Sequence, residues 1–241
     1  MFNSRQEAEM NISRSTESAR ISAVSIFMNQ IYQWMTVGLL LTGAVAWFAS
    51  GSETVMSVIY GNTMSLIVMV VLLIGLPLGL QGMLPRLSAG AATLWFLVYS
   101  AVVGLTFSSI FLIYTGSSIA ATFVITAGMF GGMSIYGTVT KRDLTGWGSF
   151  LIMGLWGLIL AIVVNIFLQS PLLHFVISGA GVLIFTGLTA YDTQKLRALG
   201  ENAPLDDATV MRRGVILGAL TLYLDFINLF LMLLRFVGDR R

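Results

Sequence analysis

The stretch GVILGALTLYLDFINLFLMLLRFV, residues 214–237, is long and apolar enough to cross a membrane as a helix, yet it carries Asp225 near its middle. Steps of four and three residues from this aspartate mark one helical face that is small or polar almost throughout. That face consists of Gly214, Gly218, Thr221, Asp225, Asn228, Met232 and Arg235. A carboxylate in hydrocarbon costs about 3 kcal/mol or more, so it normally faces the interior of a helix bundle. The pattern therefore predicts a last helix at the centre of a bundle, with Asp225 pointing inward.

The rest of the chain has the composition of an integral membrane protein. Of its 241 residues, 56% are hydrophobic and 10% are charged, whereas soluble domains carry about 25% charged residues. Such a chain cannot cover a water-soluble surface, which excludes a soluble enzyme, a nucleic-acid-binding protein and a disordered protein. There is no cysteine and a single histidine, His174. Because a zinc site needs several nitrogen or sulfur ligands, we expect no zinc and no other cofactor.

Six further apolar runs of spanning length precede residues 214–237. They are continuously apolar, which favours helices over the alternating strands of a membrane barrel. We therefore predict an all-α polytopic membrane protein, with a polar cytoplasmic tail in residues 1–30 and a seven-helix transmembrane domain in residues 31–241. The predicted spans are Ile31–Ala49, Met64–Met83, Gly90–Tyr114, Ser117–Val139, Trp147–Leu168, Leu172–Gln194 and Gly214–Val237. Four glycines in the fourth span predict close packing against neighbouring helices.

The placement of lysine and arginine predicts the orientation in the membrane. Of the 13 basic residues, all but three fall in the N-terminal tail or in the connections on the same side of the membrane. The other three, Arg235, Arg240 and Arg241, lie at the end of the last span or after it. We therefore predict a cytoplasmic N-terminus and a C-terminus outside. A re-entrant last segment would instead return the C-terminus to the cytoplasm.

A second carboxylate, Asp192, lies toward the cytoplasmic end of the sixth predicted span, beside the hydrogen-bonding groups of Tyr191 and Gln194. It is either a solvated residue at a helix end or part of a hydrogen-bonded site. The sixth and seventh helices are antiparallel neighbours in sequence, so Asp192 and Asp225 can approach each other. At 1.5 Å per residue, however, Asp192 is about 5 Å inside Lys195, while Asp225 is about 18 Å inside the basic residues before its own span. Contact requires the sixth helix to continue past Lys195, a tilt, or a shifted boundary.

Two carboxylates that meet in a low-dielectric site cannot both ionise cheaply, so they titrate in coupled steps. A shared proton would hold the two helices together. Its loss would separate them by repulsion, or leave two oxygen ligands for a hard cation such as Ca²⁺. The sequence therefore predicts Asp192 and Asp225 as a pH-sensing gate on a cation path and as ligands of a transient calcium ion. The polar residues predicted to support the pair are Tyr191, Gln194, Thr221 and Asn228.

Four segments of the chain resemble the Bax inhibitor-1 family, also called the transmembrane Bax inhibitor motif family. They are Thr186–Gln194 (TGLTAYDTQ), Leu222–Phe230 (LYLDFINLF), Tyr136–Leu144 (YGTVTKRDL) and Gly104–Ile110 (GLTFSSI). The resemblance covers about residues 20–240, and the polar head is most similar to that of bacterial members. It implies seven helices with the last one enclosed by the other six, and a pH-sensitive calcium leak in a bacterial inner membrane. The paired aspartates of the family map onto Asp192 and Asp225.

The same resemblance implies an alternative function. Family members are linked to stress survival and, in bacteria, to the control of a membrane protease. The chain would then be a non-conducting regulator that binds a membrane protease or another membrane complex. Some members also place a charged side chain on the second helix near the aspartate pair, whereas Met64–Met83 carries no charge here.

An intramembrane aspartyl protease would also carry two aspartates in its spans, where they activate a water molecule. Tyr191-Asp192 matches half of the signature of such enzymes. The second half should be a glycine-rich Gly-x-Gly-Asp, but Tyr223-Leu224-Asp225 lacks these glycines. We therefore predict that the protein is not an enzyme. The expected partners are the lipid bilayer, calcium ions and protons, with a membrane protease in the regulator hypothesis and no nucleic acid.

Overall fold

The computed structural model describes residues 2–202 and 207–241, with the side chains of residues 17–202 and 207–241 except Ala19 and Pro85. The described residues form helices and, apart from one isolated bridge between Tyr114 and Arg240, no β-structure. The helices are α1 (Phe2–Ser50), α2 (Glu53–Tyr60), α3 (Thr63–Met83), α4 (Ala89–Phe107), α5 (Ile110–Ile113), α6 (Gly116–Val139), α7 (Thr145–Leu168), α8 (Pro171–Asn202) and α9 (Ala208–Val237). Seven segments are long and apolar enough to cross a membrane. The predicted all-α, seven-span architecture is confirmed.

Local sequence signals set the ends of these helices. The first turns of five helices donate a backbone N–H to a polar side chain just before the helix, as expected for N-caps. These side chains are Ser52, Asn62, Ser88, Thr115 and Asp207. At the end of α7, Gln169 adopts a left-handed conformation with φ of 47°. Pro171 then begins α8 at a position where its missing N–H costs no hydrogen bond. The short connections keep consecutive helices antiparallel.

The first helix differs from its predicted span. α1 is continuous from Phe2 through the predicted boundary at residue 30, and its membrane-compatible part begins at Arg20 instead of Ile31. Met1 and the side chains of residues 2–16 lie outside the described residues, so the polar cytoplasmic tail stays a prediction.

The last helix lies at the centre of the bundle. In the most apolar stretch of α9, 72% of the residues are buried, compared with 6% to 33% in the other six spans. α1, α4, α6 and α8 pack directly on α9, and α3 reaches its edge. α7 packs on the outer side of α8 instead. Within the polar stripe of α9 the burial varies: Gly218, Asp225 and Met232 are buried, Gly214, Thr221 and Asn228 are half-buried, and Arg235 is exposed. The uniformly apolar helices face lipid.

Only one of the four glycines in the predicted fourth span, which all lie in α6, makes the close contact that the sequence predicts. A side chain at Gly137 would collide with the backbone carbonyl of Ala190 in α8, whereas positions 128, 131 and 132 have open space where a Cβ would lie. The expectation of close packing was therefore wrong for those three glycines, because they do not point at a neighbouring helix.

We expect Gly137→Ala to destabilise the protein. The added methyl group meets the fixed backbone of α8, and overpacking of this kind costs about 1–3 kcal/mol. Thermal unfolding in detergent micelles checks this, with Gly132→Ala as the matched control. The control removes backbone freedom from the unfolded chain without a clash, so it is expected to leave the unfolding temperature unchanged or slightly higher. Equal effects of the two substitutions would contradict the close contact.

Candidate functional site

The first aspartate of the site, Asp225, lies inside the bundle and is 6% exposed. Contacts on both sides fix the rotation of α9 around it. The phenol oxygen of Tyr223 lies 2.6 Å from the hydroxyl of Thr42 in α1, and the ring of Phe226 packs on Phe130 of α6 at 5.5 Å between centroids. Among the described residues, Oδ2 of Asp225 has no hydrogen-bond partner. Neighbouring helices thus hold α9 in place, while Oδ2 of Asp225 has no described contact that would compete with the second aspartate.

The structure brings Asp192 to Asp225. Asp192 is half-buried on α8, and its carboxyl group lies close enough to that of Asp225 for the two groups to act on each other. This contact is possible because α8 continues past Lys195 to Asn202, two turns beyond the end predicted for the sixth span. Lys195 therefore does not mark the end of the helix, and the depth difference inferred from it does not apply.

The register of α8 against α9 explains how the two carboxyl groups meet. Gly218 lies against Leu196, and Gly181 lies against Met232. Between these contacts, Asp225 comes level with residue 189, three residues or about 4.5 Å along the axis from Asp192. Side chains lean toward the N-terminus of their own helix. Because the helices are antiparallel, the two aspartates lean toward each other and close this offset.

The supporting polar residues separate into two groups. Tyr191 and Gln194 hold α8 against the start of α7 and the connection before it. The ring of Tyr191 lies against Gly148 of α7. The amide of Gln194 accepts from Leu144 N at 2.9 Å and donates to the carbonyl of residue 142 at 2.8 Å. The side chains of Thr221 and Asn228 bond to carbonyls of their own helix, at residues 217 and 224. Among the described residues, the structure shows no hydrogen bond from these last two to either aspartate.

Two polar contacts next to the pair were missed from the sequence. The hydroxyl of Thr193 donates to Ser134 in α6 at 3.5 Å, and the guanidinium of Arg197 donates to the carbonyl of Thr138. The signal for the first contact was present. The buried residues of α6 recur at steps of four and three and include 126, 130, 134 and 137, but several of them are polar, so a search for apolar periodicity passes over them.

Asp143 lies in the α6–α7 connection to which Gln194 bonds, and unlike the carboxylates of the pair it lies outside the bundle. It is exposed and accepts hydrogen bonds from the backbone N–H and the hydroxyl of Thr145, at 2.9 and 2.6 Å. These hydrogen bonds hold the pKa of Asp143 below its usual value. Asp143 is therefore ionised at neutral pH and takes no part in a response to pH near neutrality.

Two carboxylates are fewer ligands than a resident metal ion usually takes. Within the described part of the chain, no group of three or more His, Cys, Asp or Glu residues could hold a metal ion. Ca²⁺ takes six to eight oxygen ligands in its stable sites. Asp192 and Asp225 supply only part of such a shell, so calcium ligation by the pair stays a prediction for a passing ion.

We expect Gln194→Leu to loosen the α6–α7 connection. The substitution removes the acceptor of the Leu144 N–H, and the loss of one hydrogen bond costs about 1 kcal/mol, equivalent to about fivefold faster amide exchange. Hydrogen exchange of the Leu144 amide checks this. Gln81→Leu is the control, because Gln81 is exposed on α3. Unchanged exchange in Gln194→Leu would show that the amide of Gln194 does not hold the connection.

Comparison with known proteins places these features in a family. The sequence model of the family described as "Inhibitor of apoptosis-promoting Bax1" matches residues 24–241. The chain is 53% identical over 220 residues to the inner membrane protein YbhL of Escherichia coli K12. The aligned residues cover 91% of this chain and 94% of that protein. It is 46% identical over 230 residues to a protein of Borreliella burgdorferi, covering 95% and 99% of the two chains. A Rickettsia prowazekii protein is 43% identical over 215 residues, covering 89% and 90%. The chain belongs to the Bax inhibitor-1 family.

Proposed function

We propose that this member of the Bax inhibitor-1 family is a pH-sensitive, calcium-permeable leak in a bacterial inner membrane, gated by Asp192 and Asp225. The observation that carries the proposal is the meeting of the two carboxyl groups in the interior of the bundle, where Oδ2 of Asp225 has no hydrogen-bond partner among the described residues. The inner-membrane location is supported by the seven apolar spans and by the related E. coli inner membrane protein.

The charge state of the pair decides whether α8 and α9 attract or repel each other at this point. With one shared proton, one carboxyl group donates to the other. Without it, two unit charges about 4 Å apart repel by about 4 kcal/mol at an effective dielectric constant of about 20. A free-energy difference of about 1.4 kcal/mol changes an equilibrium constant tenfold. This repulsion therefore suffices to change the ratio of closed to open states about a thousandfold.

The direction of the pH response follows from this. Falling pH supplies the shared proton and favours the closed arrangement, while rising pH removes it and favours separation. Two ionised carboxylates are also oxygen ligands for a calcium ion entering between the helices. In this proposal the aspartates bind protons and pass cations. They break no covalent bond and require no cofactor.

Calcium flux into proteoliposomes tests the proposal. For the wild type, we expect flux to rise from about pH 6 to about pH 8. Asp192→Asn and Asp225→Asn each leave a pair that cannot carry two charges, so we expect low flux that no longer depends on pH. Both variants keep the shape of the side chain and its hydrogen-bonding capacity.

The matched control is Asp207→Asn. Asp207 is the exposed N-cap of α9 and accepts from the N–H groups of Thr209 and Val210, and asparagine caps helices about as well as aspartate. The control is expected to conduct like the wild type. Flux that ignores pH in the wild type, or that keeps its pH dependence in Asp225→Asn, would overturn the gate.

A non-conducting regulator is the second candidate, and α1 is the observation that favours it. The helix begins 18 residues before the membrane-compatible part at Arg20, a length of about 27 Å. Such an extension offers a surface to a membrane protease or another membrane complex. No flux at any pH in a folded wild-type protein would favour this function, and the aspartate pair would then lock α8 to α9.

We further propose that the N-terminus is cytoplasmic and the C-terminus outside. The C-terminal residues lie at the α5–α6 turn, where Thr115 N donates to the carbonyl of Asp239 at 3.2 Å. Because the chain has no cysteine, single-cysteine variants report the orientation directly. A membrane-impermeant maleimide is expected to label Glu53→Cys in intact cells, and Lys141→Cys only after permeabilisation. The reverse pattern would invert the topology.

A further inference from the structure

The side of the bundle between α1 and α6 carries a long apolar groove. Its volume is about 880 Å³, and its walls include Leu39 and Gly43 of α1 and Phe123 and Gly131 of α6. Phe226 of α9 lines it as well. α1 and α6 share little contact although they flank the same part of α9. The groove therefore opens the centre of the bundle to the lipid at Phe226, which follows Asp225 in the sequence.

A second, polar cavity begins where the apolar groove ends. It has a volume of about 600 Å³ and lies between the N-terminal part of α1 and the C-terminal end of α8. Tyr32 and Thr138 line both cavities, so the two cavities adjoin each other. The charged residues of the polar cavity are Glu17, Arg20, Arg197 and Glu201. An apolar groove joined to a charged end is complementary to an amphiphile.

The dimensions fit one leaflet of a bilayer. On α1 the apolar part runs from Tyr32 to Ala44, a rise of about 18 Å. The hydrocarbon core of a bilayer is about 30 Å thick, so one leaflet supplies about 15 Å. A lipid chain that enters the groove from the side of Tyr32 therefore fills it, while its headgroup reaches the polar cavity.

The charges of the polar cavity select the headgroup. Arginine is suited to phosphate because its planar guanidinium donates two parallel hydrogen bonds. Arg197 already donates to Glu201 at 3.1 Å and to the carbonyl of Thr138, while Arg20 has no ion-pair partner among the described residues. Glu17 and Glu201 balance the two arginines, which disfavours a purely anionic headgroup. A primary ammonium next to the phosphate complements these carboxylates with three N–H donors, which a quaternary ammonium lacks.

We propose that the apolar groove and the adjoining polar cavity together bind one phospholipid with an ethanolamine headgroup. The acyl chains occupy the apolar groove beside Phe226. The phosphate lies at Arg20 and Arg197, and the ammonium lies at Glu17 and Glu201. The proposal concerns lipid binding and is independent of calcium conduction.

Native mass spectrometry of the full-length protein tests the site. The protein is delipidated in detergent and then offered equal amounts of dioleoyl phospholipids with ethanolamine, glycerol and choline headgroups. We expect the wild type to retain one ethanolamine lipid in preference to the other two. Gly131→Trp fills the groove and is expected to reduce retention about tenfold. Gly132→Trp is the matched control, because both glycines have open space at the Cβ position but only Gly131 lines the groove.

A second pair of variants tests the headgroup. Glu17→Gln removes a carboxylate that faces the ammonium and is expected to weaken the preference for ethanolamine at least threefold, whereas Glu53→Gln, at an exposed glutamate of α2 outside the site, keeps it. Circular dichroism confirms folding, and Ala127→Phe replaces Gly131→Trp if that variant does not fold. Preference for the glycerol headgroup, retention without preference, or equal retention by Gly131→Trp and Gly132→Trp would each overturn the proposal.

Discussion

The meeting of two carboxyl groups inside a membrane bundle is the interaction on which the rest of the site depends. An ionised carboxylate at this place loses its hydration and repels the other one, so the pair is stable only when protons or cations neutralise it. Around Asp225 the neighbouring helices present aromatic rings and apolar side chains, and the polar groups of Tyr223 and Thr42 bond to each other. The described surroundings of Asp225 thus offer little to stabilise its charge, whereas the charge of Lys195, one turn along α8, acts on Asp192. In the proposed gate, the packing of α8 on α9 therefore depends on how many protons Asp192 and Asp225 bind.

Three glycines, which have no side chain, set how closely α8 packs on its neighbours and thereby the distance between the carboxyl groups. Gly137 of α6 lies against the backbone of α8, Gly148 of α7 lies against the ring of Tyr191, and Gly218 of α9 lies against Leu196. Each of these glycines lets α8 approach a different neighbour within two turns of Asp192. In a bilayer there is little hydrophobic force between helices, so close van der Waals packing at small residues does much to hold them together. A side chain at any of the three would push α8 outward and weaken the contact of the aspartates.

The parts of this structure that could be predicted from the sequence are those that depend on local pattern. The seven spans follow from length and apolarity, and the central position of α9 follows from the polar face around Asp225. The extension of α8 could not be predicted, because Lys195 and Arg197 look like residues at the membrane surface. In the structure Lys195 lies 5.8 Å from the centre of the Tyr191 ring, and Arg197 bonds to a carbonyl of α6, so the helix carries both cations and continues. The contact of Lys195 is local to α8, whereas that of Arg197 is tertiary, and a single sequence does not show it.

The contacts that hold the two aspartates divide the bundle along the groove between α1 and α6. Gln194 ties the helix of Asp192 to the α6–α7 connection, while the bond between Thr42 and Tyr223 ties α9 to α1. At the end of the bundle where α8 stops and α9 begins, Phe27 of α1 packs against both helices and holds them together. In the proposed gate, repulsion between the carboxylates is therefore resisted at this end. Because α1 and α6 share little contact, separation of α8 from α9 would act on the boundary that the groove marks.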